Sequence, residues 1–227
     1  MVEETNLATM RIRTGEFFER VMKKLGDKVN RVTMEERFQF SNSGDPLNRV
    51  FALKSGKVKL TRLSTLGRDH LLEILGPGDV FGLEALVGEN VWFYTATSME
   101  SVEVTWAHVE DMRQVLADNH NLEMQLLRSF AALTQQRYER TMTIRDLDVP
   151  GRLAAVLLYL GERFGETSEG GLVLPRGLTQ RELSQMIGAS RETANKILAD
   201  FCNRAWITHE NRLITIIDWE RLNRRAS

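Results

Sequence analysis

Three charged side chains, Arg191, Glu192 and Lys196, have the types and the spacing needed to recognise DNA bases. The planar fork of Arg191 matches O6 and N7 of guanine, Glu192 can accept from N4 of cytosine, and Lys196 follows one helical turn later. Apolar residues at helical spacing define the opposite, inward face: Ala194, Ile197, Leu198 and Phe201. The segment therefore predicts a half-buried helix with outward base-reading groups, including Asn195. An ordinary surface helix carrying a Glu192–Lys196 ion pair stays open as the alternative.

A second short helix is predicted just before this one. Thr179 and Glu182 have the spacing of a capping box, which satisfies two orphan N–H groups at a helix start. Gly188 can take the positive φ that ends a helix, and Ser190 is a suitable N-cap for the next. Two short helices joined by a glycine-containing turn are typical of the helix-turn-helix motif, whose second helix lies in the major groove.

Three motifs occur here in the order found in a known family. Residues 190–198 resemble the recognition helix of the Crp/Fnr family of bacterial transcription regulators, residues 148–152 resemble its hinge, and residues 76–82 resemble a turn of its sensor roll. The likeness is closest to the stress-response branch thought to act without cyclic AMP. It implies a homodimeric activator that binds double-stranded DNA at a two-fold symmetric site with TGTGA-like half-sites and contacts RNA polymerase.

The predicted DNA contacts come from both helices of the motif. They are Thr179, Gln180, Arg181, Ser190, Arg191, Glu192, Thr193, Asn195 and Lys196. The net charge of −1 excludes a global positive field as the source of DNA affinity. A local basic patch must supply it, and the C-terminal Arg221, Arg224 and Arg225 are further candidates.

The predicted fold class is α+β. Short segments bounded by turn residues indicate the strands of a roll or barrel: 49–53, 57–63, 70–75, 93–97 and 102–106. Short amphipathic helices are predicted before and after them, around Phe17 and around Met112. The chain is therefore predicted to divide into three regions. Residues 1–118 form an N-terminal double-stranded β-roll, which is sensor-like and resembles cyclic-nucleotide-binding domains. Residues 119–147 form a long dimerisation helix, and residues 148–227 form a winged helix-turn-helix DNA-binding domain.

The segment 121–146 predicts one long helix because it contains no glycine or proline. A stripe with coiled-coil spacing runs along it: Leu127, Ala131, Thr134, Tyr138 and Thr141. Leu126, Phe130 and Leu133 begin a neighbouring stripe. One face can therefore pack on the roll while the other meets the same helix of a second subunit. A helix lying wholly on its own roll is the alternative; the homodimer is favoured because paired recognition helices must be about one DNA turn apart.

The C-terminal region contains a predicted hinge, loop and wing. Pro150 and Gly151 interrupt the helical pattern and form the expected hinge, after which 153–164 predicts a helix. Residues 161–171 are expected to form a flexible polar loop, either a solvated connection or, by resemblance, the contact with RNA polymerase. Segments 206–208 and 213–217 predict a β-hairpin, the wing.

The predicted effector pocket lacks the polar anchors found in the family's cyclic-AMP-binding members. Leu83 stands where a glutamate holds the ribose, and Trp92 and Phe93 stand where an Arg-Ser pair holds the phosphate. Strand alternation is expected to turn Glu84 away, and residues 91–94 to fill the space. The candidate pocket residues are Gly82, Leu83, Glu84, Trp92, Phe93, Tyr94, Arg137 and Tyr138. The alternative is gating by an unidentified cyclic nucleotide or 2-oxoglutarate-like effector, contacted by Arg137 and Tyr138.

Other chemistry has little support in the sequence. The four histidines are scattered singly, no catalytic motif is present, and the single Cys202 cannot form an intrachain disulfide or a cysteine-ligated cluster. Cys202 is expected to be buried and inert beside Phe201. The chain is therefore predicted not to be an enzyme and to need no cofactor or metal. No apolar run approaches a membrane span or a signal segment, which predicts a cytoplasmic protein without a membrane partner.

Overall fold

The computed structural model describes residues 14–65, 67, 69–211 and 213–227. They divide into two units, one ending at Thr134 and the other running from Gln135 to Ser227. Residues 1–13 of the predicted first domain lie outside the described residues. The predicted α+β class, with an N-terminal roll and a C-terminal helix-turn-helix, is confirmed.

The first unit is built around two antiparallel sheets. Its strands are β1 (Asn30–Met34), β2 (Gln39–Ser41), β3 (Arg49–Ser55), β4 (Val58–Leu63), β5 (Asp69–Leu75), β6 (Val80–Phe81), β7 (Thr95–Ser98) and β8 (Val102–His108). The strand orders are β1-β8-β3-β6 and β2-β7-β4-β5. Strands β1, β2 and β6 were not predicted, since they are short and are defined by partners distant in sequence, as in the pairing of Asn30 with Trp106.

Helices close the core of this unit. Helix α1 (Thr14–Leu25) buries one face, as predicted: Phe17, Phe18, Val21, Met22 and Leu25. A 3₁₀ helix covers Leu83–Val87, and α2 (Val109–Ala117) buries Val109, Met112 and Leu116. Removing an apolar side chain of this size from water contributes about 1.5–3 kcal/mol, so the helices are a main source of the roll's stability.

Helix α3 (His120–Asp146) confirms the predicted long helix. With its 27 residues it is about 40 Å long. Leu122 and Leu126 belong to the core of the roll, and Phe130 packs against that core. One face of its N-terminal half therefore lies on the roll, as expected.

The second unit contains α4 (Val149–Phe164), β9 (Glu166–Ser168), β10 (Gly171–Val173), α5 (Gln180–Met186), α6 (Arg191–Asn203), β11 (Ile207–Glu210), β12 (Leu213–Ile216) and α7 (Trp219–Arg225). Its sheet has the order β11-β12-β10-β9. The predicted wing hairpin is confirmed as β11 and β12. The flexible loop predicted over 161–171 is wrong: helix α4 continues to Phe164, and the rest forms β9, β10 and their turn.

The predicted start of α4 also needs correction. The helix begins at Val149 rather than at residue 153, because the Asp148 side chain caps it by accepting from the Gly151 N–H. Pro150 lies in the first turn, where its missing N–H would have no intrahelical partner in any case. The break between α3 and α4 is therefore Leu147–Asp148, and Pro150–Gly151 is part of the helix.

Candidate nucleic-acid interface

Helix α5 is fixed by the predicted capping box. The hydroxyl of Thr179 accepts from the Glu182 N–H at 3.1 Å, and the Glu182 carboxylate accepts from the Thr179 N–H at 2.8 Å. Glu182 is itself buried. On the inner side Leu183 and Ile187 are almost fully buried, and Gly188 takes a φ of 62° after the helix. The start and the inward face of the first helix are therefore both constrained.

Helix α6 begins with a second cap. The hydroxyl of Ser190 accepts from the Thr193 N–H at 3.0 Å. The predicted inward face is confirmed, since all four of its residues are buried: Ala194, Ile197, Leu198 and Phe201. Burial of this face leaves Arg191, Glu192 and Lys196 exposed in the first two turns. Their guanidinium, carboxylate and ammonium groups are thus free to approach base edges.

Two contacts arrange these exposed groups. Lys196 Nζ lies 2.8 Å from a Glu192 carboxylate oxygen, which is the ion pair of the surface-helix alternative. An exposed pair of this kind contributes only about 0.3–0.5 kcal/mol, so DNA can replace it at small cost. Arg191 also donates to Gln180 Oε1 at 3.5 Å, which brings the first residues of α5 and α6 together.

The remaining predicted DNA contacts differ in their accessibility. Thr179, Arg181 and Ser190 are exposed, whereas Gln180 and Thr193 are half-buried. Asn195 departs from the prediction: it is half-buried, and its Oδ1 is buried without a hydrogen-bond partner among the described residues. It lies at the edge of the exposed face because Leu198, nearly one helical turn later on the adjoining side, is buried.

The predicted basic patch at the C-terminus is largely committed to ion pairs. Arg225 donates to both carboxylate oxygens of Asp148, at 2.6 and 2.5 Å, and Arg221 lies 3.1 Å from Asp218. The Arg225 hydrogen bond, followed by that of the Gly151 N–H, lowers the pKa of Asp148. Arg225 thus holds the start of α4, a role that was not apparent from the sequence, and Arg224 stays exposed.

Arg152 joins two helix ends near the motif. Its Nε donates to the carbonyl of Ile187 at 2.7 Å, and its Nη1 donates to the carbonyl of Leu147 at 3.0 Å. The sequence placed Arg152 in a hinge-like motif but gave no indication of these acceptors, because one of them is 35 positions away.

The predicted effector pocket is occupied by its own side chains. The buried Gly82 N–H donates to the Tyr94 hydroxyl at 3.1 Å, and that hydroxyl donates to Glu84 Oε2 at 3.4 Å. The expectation that strand alternation turns Glu84 away is wrong, because residue 84 lies on the 3₁₀ helix. Its carboxylate consequently approaches Tyr94. The Gly82 N–H is thus engaged by a side chain of the protein itself.

Aromatic rings fill the space around this hydrogen bond. Trp92 and Tyr94 are only 4% and 5% exposed, and their ring centroids are 5.5 Å apart. Phe51 and Phe81 continue the cluster. Phe93, predicted to fill the pocket, is 56% exposed and lies under the guanidinium of Arg62, 3.5 Å from the ring centroid. The pocket is therefore filled by alternate residues, Trp92 and Tyr94, because neighbouring side chains in residues 91–94 point to opposite sides.

The predicted seam of α3 is exposed. Leu127 is 53% and Tyr138 68% exposed, and Ala131, Thr134 and Thr141 are exposed as well. The hydroxyls of Thr134 and Thr141 each donate to the carbonyl four residues earlier at 2.8 Å. Because these hydroxyls are satisfied within the helix, the two threonines can present their methyl groups to an apolar partner. Arg137, beside the seam, is also exposed.

Features bearing on other functions are few. Across the described part of the chain, no three His, Cys, Asp or Glu side chains come together in a way that could hold a metal ion. Cys202 is half-buried rather than buried, and burial raises the pKa of its thiol. None of the helices in the described ranges is long and apolar enough to cross a bilayer.

Comparison with known proteins gives the family. Residues 41–119 match the cyclic nucleotide-binding domain, and residues 151–225 match the Crp-like helix-turn-helix domain. A CRP-like cAMP-activated global transcriptional regulator of Mycobacterium tuberculosis is 40% identical over 183 residues, which cover 81% of this chain and 82% of that protein. A global nitrogen regulator of a Nostoc species is 30% identical over 175 residues, or 76% of this chain and 78% of that protein.

Solved structures show the same fold. FixK2 from Bradyrhizobium japonicum superposes with a TM-score of 0.75 at 17% identity, covering 88% of this chain and 98% of that one. A CRP-family regulator from Thermus thermophilus superposes with a TM-score of 0.74 at 22% identity, covering 86% and 96%. The relatives are transcription regulators, as predicted, and not enzymes. With its roll, its capped helix-turn-helix and these relatives, the chain belongs to the Crp/Fnr family of DNA-binding transcription regulators.

Proposed function

We propose that this regulator is a homodimer that activates transcription from a two-fold symmetric DNA site with TGTGA-like half-sites, without binding cyclic AMP. The observation that carries the proposal is the exposure of Arg191, Glu192 and Lys196 on a helix whose opposite face is buried. Two such helices would enter successive major grooves.

Each exposed group has a distinct role in reading the half-site. Arg191 would donate to O6 and N7 of a guanine, while Glu192 accepts from N4 of a cytosine. Lys196 would leave its ion pair with Glu192 and contact a neighbouring base or a phosphate. Gln180, which accepts from Arg191, supplies a polar group at the start of α5, and the next residue, the exposed Arg181, supplies a positive charge.

The exposed stripe on α3 supports the homodimer. Leu127 and Tyr138 are large and exposed, and they belong to a row of positions at coiled-coil spacing, so pairing with a second copy of the helix would bury them. Pairing of this stripe between two subunits would make residues 119–147 the dimerisation helix, between a sensor-like domain at 1–118 and a DNA-binding domain at 148–227. RNA polymerase would be contacted around β9 and β10, the position that the family resemblance implies.

Independence from cyclic AMP is supported by the occupied pocket. A cyclic phosphate needs a fixed cation and backbone donors, but the Gly82 N–H is engaged by Tyr94, and Trp92 is buried where a phosphate-binding side chain is expected. No small-molecule effector would be needed to hold the pocket closed. The amount of protein made would then control activity.

A second candidate is the same regulator gated by a small effector. The Mycobacterium tuberculosis relative is described as cAMP-activated, so a family member this similar responds to a small molecule, and the Nostoc relative is described as a global nitrogen regulator. In this alternative Arg137 and Tyr138 of α3 would contact a cyclic nucleotide or a 2-oxoglutarate-like effector, and Arg62 is an additional cation of the roll near Phe93.

One experiment separates the candidates. Purified protein is titrated with a duplex carrying two TGTGA-like half-sites at fixed salt, first alone and then with cyclic AMP or 2-oxoglutarate. Tight, specific binding by the protein alone supports the proposal. Weak binding that either small molecule restores supports gating and refutes the filled pocket.

The base-reading role of Arg191 has its own test. Arg191→Ala should cost about 1–3 kcal/mol per half-site and relax preference for one G·C pair across a panel of single-base variants. Arg204→Ala is the matched control, because it removes the same charge from the far end of the same helix, where Arg204 pairs with Asp200. If Arg191→Ala leaves the ranking of the panel unchanged, Arg191 does not read that base.

A further inference from the structure

The guanidinium of Arg152 is placed between two helix ends. Arg152 lies in the first turn of α4 and is half-buried. Its Nε–H donates to the Ile187 carbonyl at 2.7 Å, while an Nη1–H donates to the Leu147 carbonyl at 3.0 Å. Both distances are those of well-formed hydrogen bonds from a charged donor.

The two acceptors belong to helix C-termini. Leu147 directly follows the last residue of α3, and Ile187 is the C-cap of α5. Carbonyls at these positions have no intrahelical N–H partner, and they carry the negative end of the helix dipole. A rigid planar fork can satisfy both at once, which a flexible lysine ammonium does less well. The end of α3 is thereby tied to the turn that precedes the recognition helix α6.

The same junction is held from its other side. The Asp148 carboxylate accepts from the Gly151 N–H at 2.9 Å and from the Arg225 guanidinium. The two residues between α3 and α4 are therefore fixed by a cap, by an ion pair with α7 and by the Arg152 bridge. A linker held at so many points transmits the position of one helix to the other.

We infer that Arg152 is a positioning residue that fixes the recognition helix relative to the end of α3, and so sets the spacing of DNA half-sites that the dimer accepts. The inference rests on the proposed function, since it needs two subunits paired along α3. Recognition helices of a dimer must reach major grooves about one DNA turn apart. Loosening the bridge should penalise correctly spaced double sites, whereas a single half-site should be bound as before.

The test compares Arg152→Ala and Arg152→Lys with wild type. Binding is measured by fluorescence anisotropy at fixed salt on duplexes with one half-site, with two half-sites about one helical turn apart, and with that spacing lengthened or shortened by a few base pairs. Arg163→Ala is the matched control: it removes the same charge from the same helix, where Arg163 lies against the rings of Tyr159 and Phe164.

We expect both Arg152 variants to lose about tenfold or more in affinity for the best-spaced duplex, the loss of roughly one charge-assisted hydrogen bond. Their preference among spacings should flatten, while their affinity for one half-site stays within about twofold of the Arg163→Ala control. Thermal melting of each variant accompanies the titrations, and Arg152→Lys decides the matter if Arg152→Ala does not fold.

Two results would overturn the inference itself, and a third would overturn the proposed function on which it rests. Equal losses on single and double sites, with the spacing preference intact, would give Arg152 a purely structural role. If Arg152→Lys binds all duplexes as wild type does, a positive charge at this position is enough, and the bridge to two carbonyls does not determine the accepted half-site spacing. Absence of any spacing preference in the wild-type protein would instead refute the proposed dimeric function, whatever the variants do.

Discussion

Replacing Tyr94 by phenylalanine tests the closed state of the roll. The substitution keeps the buried ring and its edge-to-face contact with Trp92, and it removes only the hydroxyl. Two hydrogen bonds disappear: the one that the hydroxyl accepts from the Gly82 N–H and the one that it donates to Glu84. Gly82 is buried, so its N–H is left without this partner and without access to bulk water.

The expected magnitude follows from the burial of that donor. An unpaired buried N–H costs about 1–3 kcal/mol, and the longer, half-buried contact with Glu84 adds little. With a urea m-value of about 2 kcal/mol/M, the unfolding midpoint of the roll should fall by about 0.5–1.5 M. Amide hydrogen exchange at Gly82 should accelerate, because the hydrogen bond that protects it is gone.

The assay pairs urea unfolding with hydrogen exchange. Thr33→Val is the matched control, since it removes a hydroxyl from an exposed side chain on β1 of the same roll and should change the free energy of unfolding by less than about 0.5 kcal/mol. If Tyr94→Phe has the same unfolding midpoint as Thr33→Val and Gly82 exchanges at its wild-type rate, the hydroxyl does not hold the pocket closed.

Three further outcomes are expected. Ser190→Ala should destabilise α6 by about 1 kcal/mol, seen as a lower melting temperature, whereas Ser190→Asn, another good cap, should melt close to wild type; equal melting of all three would remove the cap's role. Phe201→Ala should cost about 3–5 kcal/mol in urea unfolding, since Phe201 is almost fully buried, and Phe201→Leu clearly less. Because Arg225 lowers the pKa of Asp148 from its ordinary 3.8, the pair stabilises the fold above that pH and its contribution is lost as the pH falls towards the lowered value. Arg225→Ala should therefore lower the melting temperature at neutral pH, and its difference from wild type should shrink on acidification; a constant difference would contradict this.

Helices that bury one face were well predicted from sequence. The inward residues of α6 and the capping box of α5 depend on contacts three or four positions apart, so the pattern that specifies them is visible locally. The same holds for α3, whose exposed and buried stripes are separate sets of positions along a single uninterrupted segment. These elements are also the ones on which the DNA-reading assignment depends.

Features that depend on distant partners were missed. Strand β9 is three residues long and owes its existence to pairing with β10, so its own sequence resembles a loop. The ion pair of Arg225 with Asp148 joins residues 77 positions apart, and the sequence assigned Arg225 to DNA instead. Glu84 was misplaced because a 3₁₀ helix and a strand look alike over so few residues.

The wing of the second unit, β11 and β12, is part of a four-stranded sheet and does not stand alone as a hairpin. A lone two-stranded hairpin is only marginally stable in water, but β12 is also paired with β10, and β10 with β9. The ladder needs a close approach at Gly171, where a Cβ would lie 2.3 Å from the Ile216 carbonyl oxygen. Strands β9 and β10 thus stabilise the wing by extending its sheet, although β9 was predicted from the sequence to be part of a flexible loop. Insertions should be tolerated at the turn between β9 and β10. One added residue within the paired strands would instead reverse which side chains face the core.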